Sequence, residues 1–302
     1  MKEIRNKPAS VLARLKNVAQ ANGIDYNAIL ILYMQERFLY RMSVSPYADN
    51  FVLKGGLLLF SIDHFNTRPT LDIDFLAINM SNRVDFMKQV ISTIAKITCD
   101  DGLIFRTDDI SMNIMEQNIY EGIRVGITCI LGTARNRLRI DIGFGDVIVP
   151  KPADICYPVL LDTKPPPLIK GYSLESVIAE KFETMLKLSI INSRMKDYYD
   201  IYILSQRKRF EGRILQEAIE QTLQKRGTAY ERNPLIFQER FINSIEKQRE
   251  WNSYLGRIRS APTISFREAV QQIIKFLVPV FESICNEEEF FFCWEPIIRR
   301  WQ

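Results

Sequence analysis

Apolar residues recur at helical spacing near the start of the chain. Between Ser10 and Met42 the hydrophobic positions lie three and four residues apart, which predicts helix rather than strand. The pair Asn22 and Gly23 interrupts this pattern, and glycine or asparagine directly after the last apolar position commonly ends a helix. The sequence therefore predicts two N-terminal helices, followed by a turn-rich linker at residues 43–50.

An alternation of apolar and polar residues replaces this spacing between about Phe51 and Leu161. Successive side chains of a strand point to opposite faces, so the apolar residues at the odd positions of LDIDFLA (71–77) share one face. Asp72 and Asp74 share the opposite face. This stretch is predicted to be a strand that presents two carboxylates on one side.

Two later segments, GIRVGITCIL (122–131) and RLRIDIGFG (137–145), alternate in the same way. In the second segment Asp141 lies on the face opposite the apolar residues. The segment VDFMKQVISTIAKIT (84–98) has the spacing of an amphipathic helix. Strands interspersed with helices predict an α+β fold with a mixed sheet and flanking helices.

The segment DTKPPPLIKGYS (162–173) breaks both periods, because three consecutive prolines can continue neither a helix nor a central strand. A domain boundary is predicted there, and Ser173 is a plausible N-cap for the helix that follows. The predicted organisation comprises N-terminal helices (1–50), a strand and helix core (51–164) and an α-helical C-terminal domain (165–302). Helical spacing in this last domain covers 173–190, 195–206, 211–227, 234–258 and 266–285.

The composition of the chain limits the kinds of catalytic site that it can form. The chain of 302 residues has a net charge of +4, no apolar run near the ~20 residues of a membrane span, and no secretory signal, so a cytoplasmic protein without a membrane partner is expected. Its five cysteines lack metal-binding spacing and are expected to be reduced core thiols. A single histidine, His64, excludes a multi-histidine zinc site and favours a helix-capping or surface role. Catalysis would therefore use carboxylates, lysines and arginines.

Asp72 and Asp74 are the first candidates for such chemistry. Two carboxylates on one strand face repel each other unless a cation neutralises them, and Mg²⁺ accepts one or two carboxylates together with substrate phosphate oxygens. Gly55 and Gly56 offer backbone that a phosphate can approach, directly before the predicted helix LLLFSI. Asp141 would complete a three-carboxylate pocket if its strand adjoins the first. An isolated DxD pattern also fits a solvated strand face.

For four other charged residues the sequence allows two roles each. Lys181 projects from an apolar helix face, so it either binds an anion or extends its charged end to solvent. Asp197 shares a helix face with Arg194, so it either orients a basic group in a pocket or simply pairs with that arginine. For Arg68 and Arg124, contact with phosphate and a surface ion pair both remain open.

The combination KGG, TLDIDF and RIDIGFG resembles the nucleotidyltransferase superfamily with the polymerase-beta-type core. The helical stretch AEKFETMLKLSIINSRMKDYYDIYIL (179–204) resembles the AbiEii toxin family of abortive-infection and toxin–antitoxin systems, which includes the MenT-type toxins. The resemblance covers about residues 51–204. It implies a polymerase-beta-like core and Mg²⁺-dependent transfer of a nucleoside monophosphate from an NTP to an acceptor, the tRNA 3′ end in MenT-type members. A cognate antitoxin is the implied protein partner.

The resemblance also implies roles for individual residues. Asp72 and Asp74 would bind the metal ions, and Asp141 would complete the metal site or act as general base. Lysine and aspartate of the helical motif, here Lys181 and Asp197, would contact nucleotide and support the active site. The triphosphate would be held by Lys54, Gly55 and Gly56, and Arg68 is a further candidate for binding it because it precedes the DxD strand. Many members carry a hydroxyl residue after the double glycine, where this chain has Leu57.

Two other functions fit the same sequence. A second enzymatic hypothesis keeps the same fold and metal site. In it the acceptor is a small-molecule hydroxyl or a protein. A third hypothesis is a degenerate core that serves only as a binding module. The presence of Asp72, Asp74, Asp141 and Lys181 favours an enzyme over this last hypothesis.

Overall fold

The computed structural model describes residues 6–117, 120–258 and 262–302. The chain divides into two compact units. The first comprises Met1–Gly145 and Pro152–Tyr172, and the second comprises Asp146–Lys151 and Ser173–Gln302. The chain thus enters the second unit for good at Ser173, directly after the proline-rich segment.

The first unit begins with two helices, α1 (Lys7–Asn22) and α2 (Tyr26–Ser43). The predicted break between them is confirmed, because Gly23 ends α1 with a left-handed φ of +59°. After a 3₁₀ turn the remaining elements are β1 (Phe51–Lys54), α3 (Gly55–Asp63), β2 (Asp72–Ala77), α4 (Val84–Ala95), β3 (Leu103–Gln117), β4 (Tyr120–Leu131), β5 (Ala134–Phe144), β6 (Ala153–Cys156) and β7 (Leu168–Gly171).

Seven strands of the described residues form one mixed sheet in the order β3-β4-β5-β2-β1-β7-β6. The pairs β2–β5 and β1–β7 are parallel, and the other neighbours are antiparallel. The apolar residues at alternate positions of β4 and β5 are fully buried, whereas Arg137 and Arg139 on the opposite face of β5 are exposed. This alternation confirms the α+β fold predicted from the sequence.

The buried end of α2 carries a network of charged groups. Arg41 donates to both carboxylate oxygens of Asp101, at 2.5 and 3.0 Å, and Arg37 lies 3.4 Å from the same carboxylate. Glu36 accepts a hydrogen bond from the backbone N–H of Leu160 at 2.7 Å. Burial raises the pKa of Glu36 to about 7, and the hydrogen bond from Leu160 opposes that shift. Arg37 also donates to the carbonyl of Pro165 at 2.9 Å, so the network attaches the proline-rich segment to α2.

The second unit is mainly helical. Its elements are α5 (Leu174–Leu188), α6 (Met195–Arg207), β8 (Phe210–Glu211), α7 (Gly212–Lys225), α8 (Glu239–Ile242), α9 (Ile245–Leu255), α10 (Phe266–Asn286), β9 (Cys293–Glu295) and β10 (Arg300–Trp301). Ser173 caps α5 as predicted, since its hydroxyl accepts from the backbone N–H of Ser176. Among the described residues, β8, β9 and β10 form a small antiparallel sheet.

Several local predictions were wrong. The helix predicted over 234–258 is broken into a 3₁₀ turn and the helices α8 and α9, which start at separate N-caps. Leu71 lies outside β2 and is exposed. All five cysteines lie in the described ranges and are free, but Cys129 is the one that is buried, so the others are not core thiols.

Aromatic residues near the C-terminus form part of the core of the second unit. The ring of Trp301 stacks on Phe276 with a centroid distance of 5.6 Å, and its indole N–H donates to the carbonyl of that residue. Trp294 is fully buried beside both rings. Trp301 is therefore part of the packed core of this unit. No helix of the described residues is both long and apolar enough to cross a membrane.

Candidate active site

One row of charged side chains crosses four neighbouring strands of the first unit. The register pairs Lys54 of β1 with Asp74 of β2, Asp74 with Asp141 of β5, and Asp141 with Arg124 of β4. Directly paired residues of adjacent strands point to the same face. The two strands that carry the predicted carboxylates therefore adjoin, and Asp74 and Asp141 lie side by side between a lysine and an arginine.

Arg124 binds Asp141 through two parallel hydrogen bonds. Its Nε donates to Oδ1 at 2.8 Å, and its Nη2 donates to Oδ2 at 2.7 Å. The carboxylate is mostly buried (17% exposed) while the guanidinium is 40% exposed. These hydrogen bonds, together with the charges of Asp141, Asp72 and Asp74, raise the pKa of Arg124. All three predicted carboxylates thus lie close enough to act on this one arginine.

Asp72 lies two residues before Asp74 on the same face of β2, paired in register with Arg139 of β5. The Nε of Arg139 lies 3.0 Å from Oδ1 of Asp72. This oxygen is buried and accepts no hydrogen bond in the described structure, so the contact is an ion pair without hydrogen-bond geometry. A buried carboxylate oxygen in this condition is suited to a further cation.

Gly55 is the first residue of α3 and lies against the carboxylate of Asp74. Its φ is +69°, a value that residues with a Cβ seldom adopt, and a Cβ there would lie 2.0 Å from Oδ2 of Asp74. A Cβ on Gly56 would lie 2.6 Å from the Cβ of Thr70. The double glycine therefore lets the start of the helix approach β2 closely. Leu57, which follows, is fully buried, so this position supplies core packing and no hydroxyl.

Replacing Gly55 by alanine tests this close approach. The new Cβ would force the Asp74 carboxylate to move, so we expect any reaction that depends on this carboxylate to slow about a hundredfold and the free energy of unfolding to fall by about 1–3 kcal/mol from backbone strain. Gly132→Ala is the matched control, because Gly132 also has a positive φ (+57°) but contacts Pro8 instead of a carboxylate. Steady-state activity and thermal unfolding of both variants provide the measurement. Equal losses of activity in both would contradict a specific role for Gly55.

Lys54 and Arg68 lie at the edges of this region. The Nζ of Lys54 lies 5.1 Å from the centroid of the Tyr172 ring, a cation–π distance. Arg68 is partly buried in the segment between α3 and β2, four residues before Asp72. Both belong to the same unit as the carboxylates, and their predicted contact with triphosphate stays a prediction.

Lys181 lies in the second unit, between two buried carboxylates. Its Nζ is 2.9 Å from Oδ1 of Asp197 and 2.8 Å from Oδ2 of Asp200, both at most 2% exposed. Arg194 Nε donates to the other oxygen of Asp197 at 2.7 Å. Burial alone would raise the pKa of Asp197, but the charges and hydrogen bonds of Lys181 and Arg194 lower it to about 2. The anion that the inward lysine requires is thus a pair of protein carboxylates.

The predicted residues therefore form two groups, one in each unit. Lys54, Gly55, Gly56, Arg68, Asp72, Asp74 and Asp141 belong to the first, and Lys181 and Asp197 belong to the second. Sequence reasoning did not select Arg139, Thr70 or Asp200. The alternation of β5 carries a signal for Arg139, which precedes Asp141 by two residues, and helical spacing carries one for Asp200, three residues after Asp197.

Asp74 and Asp141 fit a divalent cation of the kind that takes few protein ligands. Mg²⁺ commonly uses one or two carboxylates and completes its shell with water and substrate phosphate. Across residues 6–117, 120–258 and 262–302, no three His, Cys, Asp or Glu side chains are grouped so that they could hold a metal ion. Arg124 contacts Asp141 and Arg139 contacts Asp72, so a guanidinium lies against two of the three predicted ligands. The buried Oδ1 of Asp72 and the glycine beside Asp74 are the features that fit a metal.

A shallow depression lies in the second unit. Its walls include Asp146, Glu180 and Arg226, and Arg226 forms ion pairs with both of these acids at 2.9 and 3.3 Å. Since these charges neutralise one another within one unit, we regard the depression as part of the packing between helices. It contains none of the predicted site residues.

Comparison with known proteins places these residues in context. The family model described as "Nucleotidyl transferase AbiEii toxin, Type IV TA system" matches residues 37–272, more than half of the chain. A candidate nucleotidyltransferase from Helicobacter pylori has a similar structure, with a TM-score of 0.48, 12% identity, and coverage of 87% of this chain and 98% of that one. The Helicobacter pylori protein JHP933 has a TM-score of 0.48 and 13% identity, with coverage of 87% and 95%. No curated protein matches the sequence. The family match spans both groups of predicted site residues.

Proposed function

This chain belongs to the AbiEii family of nucleotidyltransferase toxins, and we propose that it transfers a nucleoside monophosphate from an NTP to the 3′ end of tRNA. The family is that of a type IV toxin–antitoxin system, which implies an NTP substrate and an antitoxin partner. Modification of the tRNA 3′ end would prevent aminoacylation. The reaction would thereby block translation or phage propagation in the cytoplasm.

The pairing of Asp74 with Asp141 across two parallel strands is the observation that carries this proposal. Phosphoryl transfer depends mainly on position and electrostatics, so it needs a fixed group of charges more than a strong nucleophile. Gly55 brings the N-terminus of α3 against Asp74, and backbone N–H groups at that end favour an anion. The paired carboxylates and the proposed phosphate-binding site at the start of α3 therefore belong to the same unit.

The proposed reaction forms one bond and breaks one. The acceptor hydroxyl oxygen attacks the α-phosphorus of the NTP, and the bond from that phosphorus to the oxygen bridging the β-phosphate breaks. Pyrophosphate leaves with the electron pair of this bond, and the hydroxyl proton passes to a carboxylate or to water. Asp72 and Asp74 would hold Mg²⁺, and Asp141 would complete that site or accept the proton. When bound, Mg²⁺ would stabilise the negative charge that develops on the phosphates.

A polyanionic acceptor fits the charge of the same sheet face. Arg135, Arg137 and Arg139 lie at alternate positions of β5, so they share the face that carries Asp141. All three are exposed. Arginine on an exposed surface binds nucleic-acid phosphates through charge and paired hydrogen bonds. This row supports an RNA acceptor over a small neutral hydroxyl compound.

A labelled transfer assay tests the proposal. The protein is incubated with Mg²⁺ and each of the four α-³²P-labelled NTPs, in parallel with total tRNA, a protein extract and aminoglycosides. We expect the label to enter tRNA and to be lost when periodate first destroys the 3′-terminal diol. Label in protein or aminoglycoside would contradict the tRNA acceptor, and no label in any acceptor would contradict the enzymatic proposal.

A further inference from the structure

We infer that Arg124 exchanges partners during the reaction: it neutralises Asp141 before substrate arrives and binds the triphosphate once a metal ion takes its place. The inference rests on the proposed function, since it requires a metal and an NTP. It assigns to Arg124 a positioning role between the carboxylates and the phosphates. The role differs from a permanent surface ion pair and from a permanent phosphate contact.

The geometry shows how completely Arg124 occupies Asp141. The two hydrogen bonds, at 2.8 and 2.7 Å, engage both carboxylate oxygens in the planar fork that guanidinium groups form with carboxylates. A divalent ion at this carboxylate would meet the charge of the arginine at short range. Like charges this close repel, so the metal and Arg124 compete for the same anion.

The surroundings of Arg124 favour movement in one direction. Asp141 is mostly buried and fixed on a central strand, whereas the guanidinium is 40% exposed on the neighbouring strand. Turning the exposed guanidinium toward solvent costs less desolvation than moving the buried carboxylate, which is held by its strand. The exposed partner, Arg124, is therefore the group that moves when a cation binds.

Phosphate is the ligand that best replaces Asp141 for this arginine. The guanidinium fork matches phosphate oxygens as well as it matches a carboxylate. Lys54 lies in the same row, three strands away from Arg124, so a triphosphate over Asp74 and Asp141 would lie between a lysine and an arginine. Arg139, which faces Asp72 at 3.0 Å through Nε, makes a similar but single contact. Arg124 is the stronger case because both of its contacts are hydrogen bonds.

The competition is measurable without any transfer reaction. Binding of Mn²⁺ alone, and of inorganic triphosphate in the presence of Mn²⁺, is measured by calorimetry for the wild type and for Arg124→Ala. Loss of a competing charge should tighten Mn²⁺ binding about fivefold. Loss of two charged hydrogen bonds should weaken triphosphate binding at least about tenfold. These opposite shifts are the signature of the exchange.

Two further variants keep the test decisive. Arg106→Ala removes a comparable pair, since Arg106 binds Asp108 through two hydrogen bonds on β3, and it should leave both affinities unchanged. Arg124→Lys keeps the charge but not the guanidinium geometry, so it should recover part of the triphosphate affinity that the alanine variant loses, which guards against poor folding of that variant. Parallel losses of both affinities in Arg124→Ala and Arg124→Lys, or values equal to the wild type, would overturn the exchange. A wild-type protein that binds neither Mn²⁺ nor triphosphate would overturn the proposed function as well.

Discussion

Replacing Asp74 by asparagine is expected to lower nucleotide transfer by about a thousandfold while leaving the fold intact. Stabilisation of phosphate charge by a bound metal ion contributes several kcal/mol, and each 1.4 kcal/mol is a factor of ten in rate. Asp74 lies directly opposite Asp141 and against Gly55, so its carboxylate belongs both to the carboxylate pair and to the proposed phosphate site. Asparagine keeps the shape and removes the charge. Labelled-NTP incorporation into tRNA and growth inhibition on expression give the measurement.

Two controls accompany Asp74→Asn: its free energy of unfolding, and the activity of a variant at a distant carboxylate. The wild type concentrates Asp72, Asp74 and Asp141 near one another, so loss of one charge should change the free energy of unfolding by no more than about 1 kcal/mol. Asp108→Asn alters an exposed carboxylate of β3 that pairs with Arg106, and its transfer rate should stay within about twofold of the wild type. A fully active Asp74→Asn protein would refute the proposed site.

The position of the carboxylates could be predicted because strand alternation is a local property. Side-chain direction in β2 and β5 depends on a period of two, so the sequence was sufficient to place Asp72, Asp74 and Asp141 opposite the apolar core. Register is not local. That Asp74 faces Asp141 depends on the parallel pairing of two strands joined through α4, β3 and β4. The sequence predicted this only on the condition that the strands adjoin.

Elements with weak patterns escaped prediction for a physical reason. The long strand β3 contains a shift of register between Arg106 and Ser111, where the acidic pair Asp108 and Asp109 interrupts the alternation. The short strands β6 and β7 owe their position to their pairing with each other and with β1, since four residues carry too little periodicity. Tertiary pairing therefore decided what the local sequence could not.

Ion-pair partners were the least predictable part of the site. For Arg124 the sequence left phosphate contact and a surface ion pair open, and the structure pairs it with a carboxylate of the candidate site itself. For Lys181 helical spacing predicted a lysine on an apolar helix face and left anion binding and extension to solvent both open. Its partners, Asp197 and Asp200, lie on another helix, so only the packing of α5 against α6 identifies them. The contribution of Lys181 to stability therefore has to be measured before a role in the reaction is assigned to it.

Replacing Lys181 by methionine is expected to lower the free energy of unfolding by about 3–5 kcal/mol at pH 7, because it leaves two buried carboxylates without their shared cation. Arg194 still contacts Asp197 but is 46% exposed. Lys187→Met is the control, since Lys187 is an exposed lysine of the same helix and should change stability by less than about 0.5 kcal/mol. Chemical denaturation of the three proteins gives the measurement.

The dependence of this effect on pH has a definite sign. The folded-state pKa of Asp197 is lowered to about 2 from an ordinary 3.8, so its stabilising contribution is complete above pH 4 and is lost as the pH falls toward 2. Without Lys181, burial acts on Asp197 with less opposition and raises the pKa of its carboxyl. The difference in the free energy of unfolding between the wild type and Lys181→Met should therefore shrink as the pH falls from 7 to 4. A difference that is constant over this range would contradict the charge argument.

A double variant separates the structural role of Lys181 from the nucleotide contact that the sequence predicts. Adding Asp200→Asn to Lys181→Met removes one of the two buried charges, while Arg194 remains with Asp197. About half of the lost stability should return. If transfer activity returns with it, Lys181 acts through the stability of the second unit. If the double variant is stable at the assay temperature but transfers no nucleotide, Lys181 takes part in the reaction itself, as its sequence motif predicts.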